Sequence, residues 1–132
     1  MNPSYVHFRP TSARAALEVI LGGGILSELL DETNDGWSTA LLPFELAEFP
    51  DATWDEVARI ADVVYESYST SLLCGEVVLC MERRVLWRLR LAADEPARMH
   101  GEVPEDLGLN DWSDVWNFVE DARWVDAVQA AS

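Results

Sequence analysis

The chain has 132 residues, 49% of them hydrophobic, and its 24 acidic residues face nine arginines and no lysine, a formal net charge of −15. That length and apolar content suffice for a core, which excludes intrinsic disorder despite the acidity. The same charge repels nucleic acid and anionic membranes and favours a basic partner. No apolar run reaches the roughly 18 residues of a membrane span. The amino-terminal MNPSYVHFRPTSAR leads no basic stretch into an apolar one, so the expectation is a single cytoplasmic domain over 1–132.

Along the chain, Thr11 or Ser12 is placed to cap a first helix, because Ala13, Ala16, Leu17 and Ile20 follow at the spacing of one helical face. Gly22 to Gly24 stop it, and ILSELLDE at 25–32 reads as a second short helix. A rival reading takes LEVIL as a strand ahead of a phosphate-cradling glycine loop. It fits poorly, since a dinucleotide fingerprint requires glycine where the chain has Ser27 and a P-loop requires a lysine.

Asn34, Asp35 and Gly36 mark a turn, and WSTALLPFEL at 37–46 reads as a strand that Pro43 confines to an edge or an end. TWDE at 53–56 has the form of a capping box, Thr53 with Glu56. The helix behind it is expected to continue through Val57, Ile60, Ala61, Val64 and Tyr68, one buried stripe.

EVVLCMERRVLWRLRLAAD then alternates as a hairpin over 76–91 with a tight turn near Glu82 to Arg84. Val85, Trp87, Leu89 and Leu91 take its buried face, and Arg88 and Arg90 the other. Cys74 and Cys80, about 20 Å apart on an extended strand, are too distant for a disulfide and read as buried free thiols. DEPARMHGEVPEDLGLN at 94–110 reads as a loop. A final helix capped by Asn110 or Asp111 turns Trp112, Val115, Trp116, Val119 and Ala122 inward, and Glu120, Asp121 and Trp124 outward. The fold class expected is α+β, a small, mostly antiparallel sheet that includes the 76–91 hairpin and is covered by about three to four helices.

Catalytic signatures are missing. The two histidines, His7 and His100, stand apart from any HExxH, paired CxxC or EF-hand pattern, so neither a catalytic residue, a metal nor a cofactor is expected. Asp31, Glu32 and Asp35 converge in sequence as cation ligands would. They lack the spaced oxygens and central glycine of a calcium loop, which favours a solvated acidic cluster.

Charge segregation is the stronger signal. Glu28 to Glu66 holds eleven acidic residues and one arginine, and Glu102 to Asp126 holds eight acidic residues and one arginine, whereas five of the nine arginines lie between Arg83 and Arg98. In DWSDVWNFVEDARW at 111–124, tryptophan supplies the apolar area of a binding hot spot and carboxylates select a basic partner. Function is therefore expected to be inhibition of a basic toxin or nuclease by occlusion of its active site, as an immunity protein or antitoxin does. Asp111, Asp114, Glu120, Asp121, Trp124, Asp31, Glu32 and Asp35 are the expected partner-binding residues. The alternatives are a phage-type mimic of DNA that spaces carboxylates like phosphates, and a small-ligand module or enzyme with a pocket between sheet and helices.

Overall fold

Val63, Val64 and Tyr65, and again Val77, Val78 and Leu79, are apolar at consecutive positions, the pattern of strands buried on both faces. They lie at the middle of an antiparallel sheet whose seven strands among the described residues run in the order β2-β3-β1-β4-β5-β6-β7. The computed structural model describes residues 4–22, 28–32, 36–42 and 49–132, with the backbone alone at 28–32. Strands β1 (Ser4–Arg9), β2 (Glu28–Glu32) and β3 (Ser38–Leu42) form one side of the sheet. β4 (Asp62–Ser69), β5 (Cys74–Met81), β6 (Arg84–Ala92) and β7 (Glu95–Gly101) follow as a meander.

Helices cover both faces, giving an α+β fold. Against one face, α1 (Arg14–Leu21) and α2 (Asp51–Ile60) bury Leu17, Trp54 and Val57 on Val6, Phe8, Tyr65 and Val78. Against the other, α3 (Trp112–Glu120) and α4 (Trp124–Ala131) bury Val115, Phe118 and Trp124 on Val64, Val77, Leu79 and Leu89. Gly75 lets α3 approach β5, since a Cβ there would stand 2.6 Å from Val115 Cβ.

The expected hairpin forms, and its turn places Glu82 and Arg83 both at positive φ. Cys74 and Cys80 are buried free thiols, and burial, with Asp55 and Asp62 nearby, pushes Cys80 up to about 12. β3 ends ahead of Pro43, which lies with residues 44–48 outside the described residues.

Five expectations are corrected. α1 starts at Arg14 without a side-chain cap, because the Thr11 hydroxyl bonds Ser38 Oγ instead; Ala16 is exposed, and Leu21 completes the buried face. Residues 28–32 of the second expected helix are strand β2, because β3 supplies backbone partners, and residues 25–27 lie outside the described residues. The third helix begins at Asp51 behind Pro50, whose extended backbone already sets its entry, so Thr53 and Glu56 are not its cap. That helix ends at Ile60, and Val64 and Tyr68 belong to β4, because a strand buried on both faces also satisfies a helical stripe. Part of the expected loop at 94–110 is β7, an exposed edge strand that needs no apolar face and tolerates Pro96.

Candidate functional site

Strand alternation sets Tyr5, His7, Thr39 and Glu66 on the sheet face under α3 and α4, with His7 opposite Thr39 and Tyr5 opposite Glu66. His7 Nδ1 lies 2.8 Å from Thr39 Oγ1, and His7 Nε2 lies 2.7 Å from Glu66 Oε1. His7 and Glu66 are 4% and 1% exposed. Burial raises the Glu66 carboxyl above the ordinary carboxylate range, and the His7 hydrogen bond pulls part of the way back. Glu66 Oε2 has no hydrogen-bond partner among the described residues.

Trp124 lies flat on His7, ring centroids 4.2 Å apart and planes at 8°, and the Trp37 ring meets Trp124 tilted, at 5.4 Å. It arrives there because the chain breaks between α3 and α4, where Ala122 adopts φ 52°. Glu120, the last residue of α3, accepts a hydrogen bond from the Tyr68 hydroxyl. Tyr5 is raised by burial first and then by the negative charge of Glu120 and Glu66, which places its hydroxyl in an acidic surrounding. Tyr5, His7, Thr39, Glu66, Glu120 and Trp124 are among the residues that line an open cavity of about 320 Å³.

An aromatic ladder continues from the cavity along α3. Tyr68 stacks on Trp116 at 5.9 Å and Trp116 on Trp112 at 6.1 Å. Trp116 is 42% exposed, a large apolar side chain left open beside Glu120. The ladder and cavity thus form one acidic and aromatic strip.

The expected site residues divide. Glu120 borders the cavity and Asp121 is exposed where α3 ends. Asp111 and Asp114 form the capping box of α3: Asp114 Oδ2 accepts from the Asn110 and Asp111 amides, each at 2.8 Å, and Asp111 Oδ1 accepts from Trp112 N at 2.8 Å. Trp124, expected outward, is buried, and Trp116, expected inward, is exposed. Trp116 is exposed because the buried face of α3 runs through Val115, Phe118 and Val119, and Trp124 is turned inward because a single helical count loses phase beyond α3, where Ala122 is left-handed. Asp31 and Glu32 lie on β2, described by its backbone alone, and Asp35 lies outside the described residues.

His7, Thr39, Glu66, Tyr5 and Tyr68 escaped sequence reasoning. A usable signal existed at Glu66, a charged residue inside a run otherwise fit for a strand buried on both faces. Thr39, His7 and Glu66 have the connectivity of hydroxyl, imidazole and orienting carboxylate found in nucleophilic sites, although here Trp124 covers the imidazole.

Arg88 and Arg90 lie across the sheet and are matched, whereas Arg9, paired with Asp62, stands over Trp37 near Trp124. Arg88 Nε donates to Glu76 Oε1 at 2.7 Å, its terminal nitrogens donate to Asp51 and to the Phe49 carbonyl, and Arg90 pairs with Glu76 Oε2 at 3.4 Å. Glu76 is fully buried between them. Among the described residues no group of three or more His, Cys, Asp or Glu side chains is arranged to hold a metal ion. Comparison with protein-family models, with curated proteins and with solved structures finds no match for the chain.

Proposed function

We propose that the protein is an acidic inhibitor that acts in the cytoplasm by binding a basic partner, in the manner of an immunity protein or antitoxin covering the cationic active site of a toxin or nuclease. The observation that carries this reading is the strip on α3: Trp116, open to solvent and stacked on Trp112 and Tyr68, leads directly to Glu120. An exposed aromatic anchor beside carboxylates suits a partner whose contact surface is cationic. The net charge of −15 supplies long-range attraction to such a partner.

The test is capture from the native host with the whole protein as bait, identification of the bound protein by mass spectrometry, and kinetics with that protein purified. A basic protein whose activity falls to zero at a stoichiometric ratio is the expected result. The on-rate should drop steeply with salt while the off-rate changes less. Trp116→Ala should weaken binding about 30-fold, the value of a hot spot worth roughly 2 kcal/mol. An on-rate flat between low and physiological ionic strength overturns the reading. Affinity indifferent to Trp116→Ala but lowered slightly by every acidic substitution identifies a DNA mimic instead.

A further inference from the structure

We propose that the cavity beside Glu66 and Glu120 is a receptor for a guanidinium group, filled by an arginine side chain of the partner. The assignment rests on the inhibitor reading for the source of that arginine, and on the cavity alone for its chemistry. Glu66 is 1% exposed and lines the cavity, and one of its oxygens is occupied by His7. The other, Oε2, is buried and has no hydrogen-bond partner among the described residues. A buried carboxylate oxygen in that state calls for a donor. The rim supplies a second acceptor, the Glu120 carboxylate, which the Tyr68 hydroxyl holds in place.

Two carboxylates at different depths suit a donor that is planar, positively charged and forked, and guanidinium is more weakly hydrated than ammonium, so it enters a recessed site at lower desolvation cost. Tyr5 adds aromatic surface of the kind guanidinium groups stack on. Glu66 and Glu120 repel an anion. A cavity of about 320 Å³ leaves room for the aliphatic stem behind the charged head.

The experiment titrates N-acetyl-arginine amide into the whole protein and follows the indole and backbone amide resonances by NMR. Saturable shifts at Trp124, Tyr5, Glu66 and Glu120 are expected. N-acetyl-lysine amide should bind several-fold more weakly, and N-acetyl-citrulline amide, planar but uncharged, should not bind. Glu120→Gln, which keeps an acceptor for the Tyr68 hydroxyl, should weaken binding by about tenfold, and Glu66→Gln by at least as much, each in a variant whose melt shows it folded. No saturable shift, equal binding of the citrulline compound, or affinity unchanged in Glu120→Gln overturns the proposal. If Trp116→Ala abolishes capture of a basic partner while the arginine probe fails, the cavity assignment falls and the inhibitor reading stands. If the probe binds at the cavity and no basic partner is captured, the cavity assignment stands and the inhibitor reading falls.

Discussion

Trp124 and Trp116 occupy opposite environments within one acidic stretch. Trp124, 8% exposed and flat against His7, is part of the core, whereas Trp116 keeps 42% of its surface in solvent. Trp124→Ala should therefore cost about 3–5 kcal/mol of stability, and Trp116→Ala about 1 kcal/mol or less, both read from urea or thermal melts. The reverse order would place the helix break elsewhere. Glu66 supplies a pH signature. Its carboxyl is raised above the ordinary 4.5, so the folded state holds that proton more tightly than the unfolded chain. The stability it contributes is complete below 4.5 and is lost as pH rises through the higher folded value. Tyr5 and His7 from β1 and Glu120 from α3 surround it. Glu66→Gln removes this titration, so the variant should gain on the parent as pH rises from 4.5, and a constant difference across that range would rule the shift out.

At the scale of elements, Gly75 and Val115 fix how closely α3 sits on β5. Gly75→Ala would place a methyl group 2.6 Å from Val115 Cβ and 2.7 Å from its Cγ1, so α3 must shift. The expected loss is about 1–3 kcal/mol. Adding Val115→Ala should recover part of it, and a double-mutant cycle showing simple additivity would mean that the helix yields without strain. The hairpin of β5 and β6, strand β3 and the cap of α3 were legible in the sequence, because alternation, a proline stop and an Asp at the N-cap are local signals. β4 was not, since Val63 to Tyr65 and Tyr68 fit a helical stripe and a doubly buried strand equally well. β7 carried no apolar pattern at all, because it lies at the sheet edge with neither face covered.

Over the whole molecule, the size of the negative charge was legible by counting, and its disposition was not. Glu76 meets Arg88 and Arg90 across β5 and β6, a pairing that needs the strand register rather than residue spacing. The site was half legible for the same reason: Glu120 stood out in its acidic helix, but Glu66, His7 and Thr39 come together only through the order of β3, β1 and β4.

That order also dictates a sequence of events in time. β4 to β7 join neighbour to neighbour through short turns, whereas β1 must close the long stretch between Arg9 and Asp62 before it meets β4. Closing long loops ahead of their contacts is slow, so refolding should begin in the meander and seat β1 late. Stopped-flow chevrons should show Val77→Ala, buried in β5, slowing refolding, and Val6→Ala, buried in β1, chiefly hastening unfolding. The opposite assignment of rates would make β1 the nucleus. On the expected course, the strand synthesised before the other six is among the last to find its place.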